Sequence, residues 1–422
     1  MILGVIADDF TGATDVASML VRAGMPTTQV LGVPEGELPV SDAVVIALKT
    51  RTLPALEAVA QCLLALRALQ AVSTRQIYFK YCSTFDSTAK GNIGPVTDAL
   101  MQALGTDFTI ACPAFPENGR TVFRGHLFVG DELLSDSGMK NHPLTPMTDA
   151  NLVRVLQAQT AQKVGLLRVD ALRHSASARI AQLRAEGVRI AVGDAIDNSD
   201  LLTLAEACAE LPLITAGSGV ALGLPAAYQR RGWWVPSDSA ATLSAVKGPA
   251  AVLSGSCSQA TNAQVARWVA EGRTALAIDP LALHQGTQGI TSLLAQALPK
   301  LAAGPVLIYA TAAPDRVKAV QAELSVEAAG ALVEHTLAAL AQGLVQAGVR
   351  RLVVAGGETS GAVVQALGVP QLRIGAAICP GVPWTEAVLP SSGEAMLLAL
   401  KSGNFGAVDF FADALRQVGV TV

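Results

Sequence analysis

Short apolar runs of strand length alternate along the chain with stretches of helical period. Residues 3–7 read as a buried strand. They lead through Asp8-Asp9-Phe10-Thr11-Gly12-Ala13-Thr14-Asp15 into a helix that ends near Arg22 and is closed by Gly24. A strand over 43–48, a helix over 54–70 and a strand over 76–80 follow, then polar YCSTFDSTAKGNIG, a helix to Leu104 and a strand over 107–111. This alternation predicts an α/β fold with parallel strands joined by right-handed crossovers. Between Cys112 and Met147 the period is lost. One hairpin is expected over 122–129, and the content of Arg120, Arg124, His126, Lys140, Asn141 and His142 points to function for this long irregular segment. Strands return at 164–168, 189–192 and 211–215, after which Gly217-Ser218-Gly219 opens a helix.

Residues 231–249 (RGWWVPSDSAATLSAVKGP) have no period, and the domain boundary is placed there, giving domains over 1–232 and 250–422. The second half restarts with a strand over 250–254, GSCSQAT and a helix to Gly272, then strands at 274–278 and 306–309 and a long helix over 326–347. RRLVVAGGETSGAVVQAL (350–367) reads as strand, glycine turn and helix. A strand near 372–375, a Pro-rich turn, KSGNFG and a last helix close the chain. Two domains are expected, each a mainly parallel sheet covered by helices, with the active site in the cleft between them.

Composition narrows the function classes. Hydrophobic residues make up 51% and charged residues 15% of 422, which predicts large cores. The net charge of -4 carries no basic stripe, which argues against a nucleic-acid partner. Cys62, Cys82, Cys112, Cys208, Cys257 and Cys379 show no CxxC pairing, which fits a reduced cytoplasmic setting better than zinc or disulfides. MILGVIADD does not read as a secretory leader, and no charge-free apolar run of membrane-spanning length is present. Buried parallel sheet accounts for the mean hydropathy of +0.42.

The candidate chemistry sits where strands end. Asp8-Asp9 follows the first strand, at the edge where parallel sheets bind ligands. Two carboxylates there can hold a metal-bound phosphate or polarise a hydroxyl, and a plain N-cap by Asp9 or Thr11 competes with that reading. Lys80, Ser83, Thr84, Asp86 and Ser87 share the same edge. Asn118, Gly119 and Arg120 offer an amide, a flexible backbone and a guanidinium fork suited to a carboxylate. His126 and His142 are either polar contacts or structural residues. In the second half, Ser254-Gly255-Ser256-Cys257-Ser258, the GGETSG turn and KSGNFG with Lys401, Gly403 and Asn404 are three glycine turns that expose helix N-termini or backbone N–H groups to an anion. None of them is a GxxxxGK[ST] or a GxGxxG motif, and the absence of GxGxxG counts against a nicotinamide dehydrogenase.

Taken together, IADDFTGATDVASMLVRAG, KYCSTFDST, PAFPENGRT with GHLFV, NHPLTPM, LSGSCSQAT and GGETSG resemble the four-carbon acid sugar kinase family, in order and over nearly the whole chain. The opening block most resembles its 3-oxo-tetronate kinase branch. The resemblance implies an N-terminal acid-sugar domain, a C-terminal ATP domain and phosphorylation of a terminal C4 hydroxyl. Carried over block by block, ATP contacts fall on Ser258, on Gly356, Gly357, Glu358, Thr359, Ser360, Gly361, Ala362 and Val363, and on Gly403. Substrate contacts fall on Asp8, Asp9, Lys80, Ser83, Thr84, Asp86, Asn118, Arg120 and His142. Asp8 or Asp9 is expected to take the hydroxyl proton, with Lys80 and Arg120 holding charge and Mg2+ bridging the ATP phosphates. The metal ligands are not identified, and a homo-oligomer stays open. A threonate or erythronate kinase, and a non-catalytic acid-sugar sensor, are the competing readings.

Overall fold

In the computed structural model, which describes residues 1–142 and 144–422, the chain forms two compact units, Met1–Ala241 and Thr242–Val422. Pro143 of the NHPLTPM block lies outside the described residues.

The first unit contains β1 (Leu3–Ala7), β2 (Thr27–Leu31), β3 (Ala43–Ala47), β4 (Gln76–Lys80), β5 (Thr109–Cys112), β6 (Arg120–Phe123), β7 (His126–Val129), β8 (Glu132–Leu133), β9 (Val164–Leu167), β10 (Ile190–Gly193) and β11 (Leu213–Ala216). Eight of these form a parallel sheet in the order β2-β3-β1-β4-β11-β5-β10-β9. β1 and β3, LGVIA and AVVIA, are buried at every position, as strands covered on both faces require. The irregular segment after β5 folds as a small antiparallel sheet β6-β7-β8, which includes the hairpin expected there. β2 was not expected. Its TTQVL pattern opens with three consecutive polar residues, yet Gln29 is fully buried, its side chain accepting from Thr14 Oγ1 at 2.9 Å.

The second unit contains β12 (Ala250–Ser254), β13 (Ala275–Ala277), β14 (Val306–Tyr309), β15 (Arg351–Ala355), β16 (Gln371–Cys379), β17 (Val382–Val388) and β18 (Ala395–Lys401), in the order β13-β14-β12-β15-β18-β17-β16. The first five strands run parallel and the last two connections are antiparallel. The stretch read as a Pro-rich turn is therefore largely strand. Pro383 obscured it, and Pro383 pairs with Ala377 beside a register shift, the kind of position where a sheet tolerates proline. Trp268, Trp384, Phe410 and Phe411 anchor the core on one face of this sheet. The helix Val326–Gln346 is long and apolar enough to cross a membrane by length and composition; here it packs against the helices Ile290–Ala297, Pro314–Leu324 and Gly357–Ala366.

Candidate active site

One in-register row ends the central strands of the first unit: Ala47, Ala7, Lys80, Ala216 and Cys112. Asp8 and Asp9 step directly off β1. Asp9 caps the helix Phe10–Arg22, its Oδ1 accepting from Gly12 N at 3.1 Å, so the capping role is real and coexists with a cluster of charges. Arg51, in the loop after β3, organises that cluster. Its guanidinium grips Asp8 with two bonds of 2.9 and 3.0 Å, reaches Asp9 Oδ1 at 2.6 Å and lies 3.7 Å from Asp86. Lys80 Nζ, almost fully buried, stands 3.6 Å from Asp9 Oδ1. Gly12 makes room for it, since a Cβ there would fall 1.8 Å from Lys80 Nζ.

These neighbours move the carboxyls in opposite directions. Burial dominates at Asp8 and raises its pKa against the pull of Arg51. Burial also opposes charge at Asp9, but Lys80 and Arg51 together outweigh it and lower the pKa. Lys80 is the reciprocal case: burial disfavours its charge, and Asp9 and Asp8 more than restore it, raising the pKa. Asp15, one helical turn beyond Thr11, is raised by burial despite a hydrogen bond with Ser218 and the charge of Lys80.

The remaining expected residues lie on the loops after β4 and β5 and in the irregular segment beyond. Thr84 Oγ1 donates to Asp86 Oδ1 at 2.6 Å, on the loop that also carries Ser83. Asn118 ends a short 3-10 turn after β5, and Arg120 opens β6. Arg120 folds back onto the Asn118 carbonyl, and its buried Nε has no partner. Arg22 and Glu117, 3.1 Å apart, tie this loop to the helix that Asp9 caps. His142 is engaged locally, Nδ1 accepting from Thr145 N at 3.1 Å, and is not part of the Arg51 cluster. His126 is likewise held between the Arg124 carbonyl and Asn151. Arg51, Asp15 and Ser218 were not singled out from sequence. Ser218 alone had a signal, its place in a glycine-flanked turn after a strand.

The second unit repeats the arrangement with a different lining. Ala277, Tyr309, Ser254, Ala355 and Lys401 form its in-register edge row. Beyond it opens a cavity of about 740 Å³, within the size range of small-molecule sites. Gly255, Ser256, Gly356, Gly357, Glu358 and Thr359 are part of its lining. Val317, Val320, Val326, Ala329 and Val333 contribute apolar side chains to it, and Arg316 and Glu334 polar ones. Gly356 sits at φ +133°, a backbone state closed to most side chains, and the helix begins immediately at Gly357. Its first bond is Ser360 N to Gly356 O at 2.9 Å, which leaves the N–H groups of 357–359 without intrahelical acceptors. Of the residues expected to meet nucleotide, Gly356 to Thr359 line this cavity. Ser360 is buried with its hydroxyl unpartnered, and Val363 lies in the core. Gly361 and Ala362 continue the helix away from the lining. Ser258 and Gly403 meet each other rather than the cavity, Ser258 Oγ donating to the Gly403 carbonyl at 2.6 Å.

Two family models divide the chain in the same way as these edge rows. Residues 3–224 match a sugar-binding N-terminal domain and residues 251–411 a nucleotide-binding C-terminal domain. The chain belongs to the four-carbon acid sugar kinase family. Within that family it groups with the 3-oxo-tetronate kinases. It is 61% identical to the 3-oxo-tetronate kinase of Cupriavidus necator and 62% identical to that of Burkholderia multivorans, in both cases over 99% of this chain and 97% of the relative. Among solved structures, a Salmonella typhimurium LT2 protein superposes with a TM-score of 0.91 at 46% identity, covering 98% of this chain and 99% of that one. A Haemophilus influenzae protein superposes with a TM-score of 0.86 at 47% identity, covering 98% and 100%.

Proposed function

We propose that this chain is an ATP-dependent kinase that transfers the γ-phosphoryl group to the C4 hydroxyl of 3-oxo-tetronate. The substrate follows from relatives that carry that name over nearly their full length. The observation that carries the geometry is the second unit's cavity, where a positive-φ glycine opens a helix beside a second glycine turn and apolar side chains line the same space. A triphosphate suits the glycine turns and an adenine the apolar side chains.

Phosphoryl transfer needs positioning and charge balance more than covalent chemistry. Asp9 is the group assigned to orient and deprotonate the C4 hydroxyl. Its Oδ1 takes the contacts with Gly12, Arg51 and Lys80, and its side chain is 27% exposed against 6% for Asp8. A lowered pKa is compatible with the role, because the proton leaves late in a loose transition state. Asp8, gripped by two bonds from Arg51, holds that guanidinium in place. Arg51 and Lys80 face three carboxylates, so this cluster does not itself attract an acid sugar. Arg120, with its unpartnered Nε, is the cation assigned to the substrate carboxylate.

Among the described residues no group of three or more His, Cys, Asp or Glu side chains is arranged to hold a metal. A Mg2+ carried by the ATP phosphates and water needs one or two carboxylates at most, and Glu358 on the cavity wall fits that need. When bound, Mg2+ neutralises charge on the phosphates. The test is a side-by-side ADP-release assay on 3-oxo-tetronate, threonate and erythronate, with the product located by 31P NMR. Turnover of the oxidised acid is expected to dominate. Preferential turnover of either reduced acid, or binding of sugar and ATP with no ADP release, would overturn the assignment.

A further inference from the structure

The ammonium of Lys401 lies at the end of β18 and is fully buried. Its N–H groups go to three neutral acceptors: Thr261 Oγ1 at 3.0 Å, Ser402 O at 3.1 Å and Gly403 O at 2.8 Å. The Phe410 ring centroid is 5.8 Å away. Among the described residues no carboxylate stands within ion-pair distance. The ionisable group that acts on its charge is the Cys379 thiol of β16. Buried lysines are nearly always paired, because an isolated ion in a low-dielectric interior is costly. Here hydrogen bonds to neutral dipoles hold the ion in place and leave its field uncancelled.

Three turns meet at this point. The Lys401 carbonyl accepts from Gly356 N at 2.8 Å, and Gly255 N and Ser256 N both reach Ala355 O, at 2.9 and 3.1 Å. The Gly403 carbonyl, besides Lys401, accepts from Ser258 Oγ and from Thr261 Oγ1 at 2.8 Å. The turns after β12, β15 and β18 are thus joined around one ammonium, and the first two line the cavity.

We infer that Lys401 is a positioning residue for the nucleotide's polyphosphate, a fixed cation behind the glycine turns whose missing counter-ion is the ligand. The inference rests on the second unit's cavity being the ATP site. It predicts selectivity by charge. Lys401 stabilises bound di- and triphosphates without touching them and contributes nothing to a bound nucleoside.

The experiment is isothermal titration calorimetry of the wild type and Lys401→Met with ADP and with adenosine. ADP affinity should fall roughly tenfold or more, the scale of one charge acting through partly screened protein, while adenosine affinity stays within about twofold. Equal losses for both ligands would mean a purely structural lysine and would overturn the inference. A second measurement uses the wild type alone and so does not depend on the variant folding. Burial lowers the Lys401 pKa to about 8, and a nearby phosphate would restore its charge. ADP binding at pH 8, compared across buffers of different ionisation enthalpy, should therefore take up a fraction of a proton. The Cys379 thiol, the ionisable group that acts on Lys401, is raised by burial and so keeps its proton there. No uptake would overturn the inference. Wild-type protein that fails to bind ADP at all would remove the ATP-site reading as well, whereas wild-type binding that Lys401→Met leaves unchanged would remove this inference alone.

Discussion

Asp8 and Asp9 are adjacent in the chain and have different work. Asp9→Asn keeps the cap and the volume and removes the base. Turnover should fall about 10²-fold or more, the range for a lost general base, with the substrate KM nearly unchanged. Asp8→Asn removes half of a buried ion pair and leaves Arg51 under-compensated, so thermal unfolding should move to lower temperature as well. If Asp8→Asn left the unfolding temperature intact and abolished turnover while Asp9→Asn did not, the two roles would be exchanged. Gly12→Ala probes the same cluster from behind. A helix accepts alanine readily, so the backbone is not what this substitution disturbs. The added Cβ, however, occupies the place of Lys80 Nζ and crowds Asp9 Oδ1. Steady-state kinetics should then show a loss close to that of Lys80→Met, and wild-type turnover in Gly12→Ala would mean that the ammonium works from elsewhere.

At the scale of elements, the glycine turn between β15 and its helix governs the cavity. Gly356→Val forces a β-branched side chain into φ +133° and against Thr359, disturbing the first helical turn. The ATP KM should rise while acid-sugar binding, measured by calorimetry, is kept. Loss of sugar binding with ATP binding retained would mean that the two units' roles are reversed. This turn was legible from sequence because strand, glycine pair and helix are written contiguously, and the parallel strands were legible because full burial leaves uninterrupted apolar runs. Arg51 was not legible. Its partner Asp8 is 43 positions away, and only the pairing of β1 with β3 brings the two loops together. β17 was hidden by Pro383, and the importance of Lys401 depends on the absence of a carboxylate, which no local pattern records. His142 is a different case: a polar residue in an irregular loop drew attention, and its Nδ1 is bonded within its own turn.

For the molecule as a whole, an unneutralised interior cation trades stability against ligand binding. The Lys401 pKa is about 8 in the folded chain, lowered by burial, and near the ordinary lysine value of 10.5 in the unfolded chain. Below pH 8 both states carry the charge, and the folded state bears the full desolvation cost. Between pH 8 and 10.5 the unfolded chain holds more protons than the folded one, so raising the pH stabilises the fold, with a slope of at most about 1.4 kcal/mol per pH unit. Above that window the two states no longer differ. Other groups titrate in the same range, so the quantity to measure is the difference in unfolding free energy between wild type and Lys401→Met, from urea titrations at a series of pH values. That difference should move in favour of the wild type as the pH rises from 8 to 10.5. Saturating ADP should push the window upward by holding the proton on Lys401, so that the same alkaline shift that relieves the free protein weakens its grip on phosphate. A difference that stays flat across the window would show that this ammonium is as well solvated inside the protein as in water, and nothing would then remain for a phosphate to neutralise.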